Sequence, residues 1–147
     1  MEQRVSTHAD APPDDVWRLF MDVERWPQLT ESLSEVRRLD SGPLAVGSQA
    51  RVTQSNRFRS RWRVTDLEPG RSFTWESRLG ALAIVGVHAV APDGDGSMIT
   101  SILGLRGPLA GLVNALTGRS TLRSITMEIE GFRRTAESER AGRQDAG

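Results

Sequence analysis

Alternation of apolar and polar residues through the middle of the chain constrains its fold more than any other feature. It extends from about Ser34 to Leu105, and a period of two residues is typical of strands with one buried face. Turn-like sequences interrupt it at 40–43, 68–70, 79–80 and 93–96, where glycine, proline and aspartate favour tight reversals. The pattern predicts six strands joined by hairpins.

Helical patterns and one extended segment precede this sheet. The segment around Val5 is extended, and Pro12–Asp15 suit the first turn of a helix, because proline needs no donor there and carboxylates favour its positive end. This helix is expected to end near Asp22. A second short turn, Val23–Trp26, is expected to be cut by Pro27, whose ring disfavours helix in the preceding residue.

A long helix is predicted after the sheet, from Pro108 to about Ala136, with or without a kink at Gly118. Its apolar residues recur every three or four positions: Leu109, Leu112, Val113, Leu116, Ile125, Ile129 and Phe132. Because the helix and the sheet each have one apolar side, they should pack together. An α+β fold follows, and a ligand cleft is expected between the two layers.

The length of 147 residues suits one domain, which we place at residues 1–136. Residues 137–147 are polar and contain glycine and alanine, so a disordered tail is predicted there. The chain starts without a basic and apolar leader, and its longest near-apolar segment, Leu79–Pro92, is too short to cross a bilayer. These features predict a cytoplasmic protein without stable membrane insertion.

Composition excludes several kinds of chemistry. All 19 basic residues are arginine, and lysine, cysteine and tyrosine are absent, which removes a Schiff-base lysine, a thiolate and a phenolic acid. Two histidines without cysteine are too few ligands for a typical structural zinc site, and the calcium-like start at Asp93 fails because Gly104 stands where a glutamate is required. We therefore predict no metal and no cofactor.

The 19 acidic residues balance the basic ones, for a formal charge of zero. A neutral chain has no general attraction to nucleic acid or to an anionic membrane. We expect a hydrophobic small molecule as the partner, no nucleic acid, and a monomer or homodimer.

Several short motifs resemble one known superfamily across nearly the whole folded chain. They are Ala11–Trp17, Asp22–Pro27, Val64–Gly70 with Phe73 and Trp75, the hairpin Pro92–Ser97, and the final helix. They are similar to those of the START-like superfamily, particularly its polyketide cyclase/dehydrase branch. This resemblance implies a helix-grip fold, in which a curved antiparallel sheet wraps around the C-terminal helix and a cavity between them holds a hydrophobic ligand.

His88 is the candidate catalytic residue. It shares a strand face with Ile84, Gly86 and Val90, a face that the resemblance turns toward the cavity. An imidazole there either contacts a ligand oxygen and moves a proton or is a core histidine with satisfied hydrogen bonds.

The arginine-rich run 57–63 has two interpretations as a strand. Period two places Arg57, Arg59, Arg61 and Arg63 on a solvated face, opposite Phe58 and Trp62. A bulge that turned Arg59 or Arg61 inward would instead let a guanidinium grip a ligand anion. Arg119 and Arg123, one helical turn apart, either cap the pocket mouth or lie in solvent.

Aromatic and apolar side chains are expected to line the cavity. Tryptophan rings suit a flat ligand, although the same rings also suit core packing. The predicted ligand-binding residues are Trp26, Trp62, Trp75, Ile84, His88, Ser101, Leu112 and Leu116. The leading hypothesis is binding of a hydrophobic or aromatic small molecule. The alternatives are an aromatase/cyclase or dehydratase acting on a polyketide-like chain, and a lipid or quinone carrier.

Overall fold

The computed structural model describes residues 2–146 and contains one antiparallel sheet with three helices and a single 3-10 turn. The strands are β1 (Glu2–Ala9), β2 (Leu33–Arg38), β3 (Gln49–Gln54), β4 (Arg59–Glu68), β5 (Ser72–Leu79), β6 (Leu82–Asp93) and β7 (Gly96–Arg106). Their order across the sheet is β1-β7-β6-β5-β4-β3-β2. The six central strands predicted from the alternation are therefore confirmed, and β1 adds the seventh beside β7.

The helices lie at the two ends of the sequence. They are α1 (Pro13–Met21), the 3-10 turn Val23–Arg25, α2 (Trp26–Leu29) and α3 (Ala110–Ala146). The helix-grip architecture predicted from the sequence is confirmed, with the short helices after the first strand and the long one on the concave side of the sheet.

Period-two alternation decides which side chains reach the concave face. In β4, Ser60, Trp62 and Val64 are buried while Arg59 and Arg61 between them are exposed. Hydrogen-bonded pairing then aligns the inward residues of neighbouring strands, for example Phe73 in β5 beside His88 in β6. The inner face is in this way an ordered array that carries most of the core.

The two halves of α3 pack differently. Ile125, Ile129, Phe132 and Ala136 of the second half are buried in the core, and Gly131 lies so close to the Leu29 carbonyl that a methyl group would overlap it. The first half, 110–124, is mostly exposed, and Gln3 of β1 donates a hydrogen bond to the Gly118 carbonyl at 2.8 Å.

One helix boundary differs from the prediction. Pro27 does not cut the short helix; it lies in the first turn of α2, which continues to Leu29. The first turn of a helix makes no use of the amide donor that proline lacks, so the ring is accommodated there.

Helix α3 continues through Ala146, across most of the stretch where a disordered tail is predicted, and Gly147 lies outside the described residues. Glu139 pairs with Arg25 at 2.6 Å, and Arg143 pairs with Asp15, whose side chain is only 2% exposed. The charged residues of this segment show no apolar periodicity, so the sequence does not predict that it packs against the domain. The fold shows that Glu139 and Arg143 meet partners on the 3-10 turn and on α1.

Candidate functional site

A histidine and a glutamate meet on the concave face between the sheet and α3. His88 extends from β6, and its Nε2 lies 2.5 Å from Oε1 of Glu128 on the facing helix. The side chains are 6% and 15% exposed, so the pair is sheltered while Glu128 retains contact with solvent. The other ring nitrogen of His88, Nδ1, is buried and has no hydrogen-bond partner within residues 2–146.

Aromatic rings enclose the imidazole. Phe73 stacks on it at 5.0 Å between centroids with an interplanar angle of 12°, Trp26 lies at 4.8 Å and Phe20 at 5.6 Å. Phe132 of α3 completes the group at 6.0 Å. Low polarizability around the pair strengthens its electrostatic interaction, and the close packing fixes the orientation of the ring.

This arrangement allows acid–base chemistry at one defined atom. A Glu128 carboxylate accepts a hydrogen bond from Nε2–H, which leaves the Nδ1 lone pair as an acceptor or base. A carboxylate in this position also stabilises the imidazolium that forms when Nδ1 takes up a proton, as the third group of a hydrolytic triad does. An orphaned polar atom in a buried site calls for a partner, and a ligand oxygen would supply one.

Two tryptophans form a wall beside the pair. Gly86 leaves room for them, because a Cβ atom there would lie 3.2 Å from Trp75 Cδ1 and 3.6 Å from Trp62 Cζ3. Trp62 and Trp75 stand 5.3 Å apart between ring centroids, and Trp62 donates from Nε1 to the Ser60 hydroxyl at 2.9 Å. The hydrogen bond fixes the Trp62 indole, and both rings are buried, Trp62 at 7% and Trp75 at 5% exposure.

Beyond the tryptophans the concave face opens toward solvent. Ile84, Leu103 and Leu105 point to this face but are only half-buried, in contrast to His88, Val90 and Ile99. They form, with the first half of α3, a region that we call the open half of the concave face. Its apolar floor begins at Leu103, two residues along β7 from Ser101, which is the cross-strand neighbour of His88.

Six of the eight predicted ligand-binding residues lie on this face or in its core. Ser101 is the cross-strand neighbour of His88 and is buried, Ile84 belongs to the open half, and Trp62 and Trp75 form the wall. Trp26 is only 1% exposed, donates to the Leu19 carbonyl at 2.9 Å and belongs to the aromatic group around His88.

Leu112 and Leu116 are not brought to the site. They are 58% and 78% exposed, on the side of α3 that faces away from the sheet. Ile125 follows Leu116 by nine positions, which is two and a half turns at 3.6 residues per turn. The two apolar stripes of α3 therefore lie on opposite sides of one continuous helix.

The arginines considered for the pocket lie outside it. Arg59 and Arg61 are exposed on the outer face of β4, and Arg119 and Arg123 are exposed on α3. Within β4 the arginines are therefore on the solvated face, as period two predicts. The two residues before the strand differ from the prediction: Arg57 lies in a turn with a φ of 72°, and Phe58 is exposed.

Glu128 is the site residue that the sequence interpretation missed. It follows Ile125 by three residues and precedes Phe132 by four, so it borders the apolar stripe that faces the sheet. A carboxylate at the border of a buried stripe is expensive unless it has a partner. The position of Glu128 in the sequence therefore indicates that its carboxylate needs a partner, and the structure shows that this partner is His88.

One groove, of about 510 Å³, lies apart from the aromatic group around His88. It is lined by residues 27–31 together with Thr126, Met127, Glu130 and Arg134. In the part of the chain that the structure describes, no three histidine or carboxylate side chains come together to hold a metal ion.

Comparison with known structures identifies the fold. The chain superposes on TTHA0849 from Thermus thermophilus with a TM-score of 0.76 and 16% identity, covering 95% of this chain and 99% of that one. It superposes on the di-domain ARO/CYC StfQ from the steffimycin biosynthetic pathway with a TM-score of 0.77 and 11% identity, covering 96% of this chain and 51% of that one. These identities are low enough that the likeness concerns the fold.

A third structure, DR_A0006 from Deinococcus radiodurans, matches with a TM-score of 0.66 and 18% identity over 95% of this chain and 99% of that one. No curated protein sequence matches the chain. The family model described as polyketide cyclase / dehydrase and lipid transport matches residues 2–137, which include every strand, α1, α2 and the half of α3 that carries Glu128. The chain therefore belongs to the polyketide cyclase/dehydrase and lipid transport family, within the START-like superfamily.

Proposed function

We propose that this protein binds a hydrophobic or aromatic small molecule that carries an oxygen function, in the open half of the concave face. The observation that carries the proposal is the buried, unpartnered Nδ1 of His88 beside an apolar floor. A ligand hydroxyl donates to that nitrogen when Glu128 occupies Nε2–H, and a carbonyl accepts from it when the ring is fully protonated.

The shape of the site supports a flat ligand. Trp62 and Trp75 provide an aromatic wall with fixed rings, and flat ring systems stack on such walls with a favourable offset or edge geometry. Ile84 and Leu103 provide an aliphatic floor that is half-buried without ligand and packed against the core. Covering it with a ligand removes apolar surface from water, which stabilises the complex in proportion to the area.

Binding is tested with 1,8-dihydroxyanthraquinone, a flat probe with both hydroxyl and carbonyl groups, by quenching of tryptophan fluorescence. We expect saturable binding and an affinity about tenfold weaker in His88→Gln, the loss equivalent to one hydrogen bond. His8→Gln is the matched control, because the chain has two histidines and His8 is half-exposed on β1. Ile84→Trp, which fills the open half, should abolish binding while its thermal unfolding stays cooperative.

The proposal fails if the probe binds equally well to the wild type and to Ile84→Trp, or if no flat or lipid-like compound shifts the thermal unfolding of the wild type. If the probe does bind, native mass spectrometry of protein purified from its own host identifies the natural ligand, because a small molecule that co-purifies at one copy per chain is detected by its mass.

The His88–Glu128 pair favours a second candidate function, cyclisation or dehydration of a polyketide-like chain. In this step Nδ1 of His88 takes a proton from a methylene between two carbonyls, and the enolate carbon attacks another carbonyl to form a carbon–carbon bond. The imidazolium returns its proton to the new alkoxide, and loss of one water leaves a double bond. The sum is an aldol condensation that needs neither an oxidant nor a reductant.

A linear poly-β-ketone thioester tests this candidate, with the cyclised and dehydrated product followed by absorbance and mass. Glu128→Gln keeps the hydrogen bond but removes the charge, so kcat should fall about a hundredfold while affinity for the anthraquinone changes little. Equal product formation by wild type and His88→Gln would leave binding or carriage of a lipid or quinone as the function.

A further inference from the structure

The first half of α3 exposes a row of leucines. Leu112 and Leu116 of α3 are 58% and 78% exposed, and Leu109, in the turn just before the helix, is 62% exposed. Their spacing of three and four residues follows one side of the helix. This side faces away from the sheet, so the row takes no part in the core. Large apolar side chains grouped in this way mark an interaction surface more often than isolated ones do.

The β5–β6 hairpin extends this apolar end of the molecule. Gly107, just before α3, lies against the carbonyl of Ala81 so closely that a methyl group on it would overlap that oxygen. The hairpin tip is therefore beside the start of the helix, and Leu79 on the tip is 37% exposed. Leucines from two separate elements thus reach solvent at the same end.

Arginines continue the row along the helix. Arg119 and Arg123 follow Leu116 at spacings of three and four residues, and both are exposed. No aspartate or glutamate occurs in residues 96–127. The formal charge of zero for the whole chain therefore conceals a local surface that is apolar and positive, which we call the leucine–arginine face: Leu109, Leu112, Leu116, Arg119 and Arg123.

We propose that the leucine–arginine face docks on the surface of an anionic lipid bilayer. Leucines of a helix lying flat enter the boundary between headgroups and acyl chains, and arginines bind the lipid phosphates. Within residues 2–146, no helix is long and apolar enough to cross a membrane, so the contact is peripheral. Two or three leucines and two arginines give reversible attachment rather than a permanent anchor.

Pairing of two copies through the same face is disfavoured by charge and by area. A two-fold contact through this face brings the Arg119 and Arg123 side chains of both copies into one interface, and residues 96–127 offer no carboxylate to neutralise them. Stable dimers bury about 800 Å² on each partner, far more than three leucines present. An anionic lipid surface supplies both the negative charge and the contact area that a second copy lacks.

Docking would also bring the open half of the concave face to within about one helix diameter, roughly 10 Å, of the lipid, because the first half of α3 lies between them. This consequence rests on the proposed ligand site, whereas the docking itself does not. A protein that collects or delivers a hydrophobic molecule would then do so close to the phase in which such molecules dissolve.

The test is co-sedimentation of the full chain with vesicles of phosphatidylcholine containing phosphatidylglycerol, compared with phosphatidylcholine alone. We expect binding to the anionic vesicles that weakens with added salt. Leu112→Ser with Leu116→Ser should weaken it at least about tenfold, and Arg119→Gln with Arg123→Gln about three- to tenfold. All four positions are exposed, so the variants should unfold at the wild-type temperature.

Arg59→Gln with Arg61→Gln is the charge-matched control, since these arginines are exposed on the outer face of β4. The control should bind vesicles like the wild type. Loss of binding in this control with retention in the leucine variant would overturn the proposal, as would failure of the wild type to bind anionic vesicles. Anthraquinone binding measured on the same variants stays unchanged, which separates the docking result from the ligand site.

Discussion

His8 and His88 occupy very different electrostatic surroundings. His8 is half-exposed on β1, between Asp93 at 2.7 Å from Nδ1 and Asp10 at 3.0 Å from Nε2. His88 is buried against a single carboxylate. The hydrogen bond to Asp93, followed by that to Asp10, raises the pKa of His8 above its ordinary value of 6.5.

This raised pKa makes part of the folding stability depend on pH. Folding favours protonated His8, so its contribution is complete below about pH 6.5, the unfolded pKa. It is lost as the pH rises through the higher pKa of the folded state. His8→Gln should therefore destabilise the protein more at pH 5.5 than at pH 8.5 in urea unfolding. An equal loss at both values would mean that the two carboxylates do not bind a charged imidazole.

Residue-scale features also mark where sequence reasoning reached its limit. His88 was predictable because period two placed it on the inner face of an apolar strand. Its partner lies forty residues away, and no local spacing relates a strand residue to a residue on the facing helix. The position of Glu128 at the border of a buried stripe suggests that it needs a partner, but only the packing of α3 on the sheet identifies His88.

At the level of elements, α3 shows how far helical periodicity can be used. The spacing of its leucines and isoleucines correctly predicts a long helix. The same spacing also predicts that the leucines before Gly118 and the apolar residues from Ile125 onward share one side of the helix. That prediction is wrong, because the three- and four-residue spacing holds within each group but not between the two groups. The interval of two and a half turns between Leu116 and Ile125 was in the sequence and places them on opposite sides.

The contact between α2 and α3 depends on Gly131. A Cβ atom at this position would overlap the Leu29 carbonyl, which is backbone and cannot rotate away. Gly131→Ala should therefore move α2 and lower the free energy of unfolding by about 2–3 kcal/mol. Urea unfolding measures this loss.

Gly142→Ala in the same helix is the control. A Cβ atom there meets nothing within 4 Å, so alanine should stabilise the helix by up to about 1 kcal/mol. Opposite signs at the two glycines would confirm that close packing, and not helix propensity, determines the effect. A stabilising Gly131→Ala would contradict the contact.

For the molecule as a whole, the last turns of α3 connect the end of the chain to its beginning. Arg140 donates to the Asp10 carbonyl at 2.9 Å, and Arg143 neutralises Asp15, which is 2% exposed. Removing the Arg143 charge leaves this buried carboxylate with Arg18 at 3.4 Å as its remaining cation. Arg143→Met should therefore cost about 2 kcal/mol in thermal or urea unfolding.

Arg123→Met tests whether that loss is specific, because Arg123 is an exposed arginine on the same helix. It should change the free energy of unfolding by less than about 0.5 kcal/mol. If Arg143→Met behaved in the same way, the last turns of α3 would contribute nothing to stability, and residues 137–147 would act as the tail that their composition predicts.

The uneven packing of α3 has a consequence for its motion. Residues 125–136 place four side chains in the core, whereas 111–124 are half-buried or exposed throughout. Segments with few buried contacts open locally at a lower free energy than the global unfolding. Amides in 111–124 should therefore exchange with deuterium at least about tenfold faster than those in 125–136.

Saturating anthraquinone should slow the exchange of 111–124, because a ligand in the open half packs against that part of the helix and stabilises the closed state by mass action. Exchange in β2, at the far edge of the sheet, should not change and serves as the internal control. Two results would mean that the ligand reaches His88 without opening the first half of the helix. One is equal exchange rates along α3 without ligand, and the other is slowing of exchange by the ligand in 125–136 only. Slowed exchange in 111–124 alone would identify that half as the movable cover of the site.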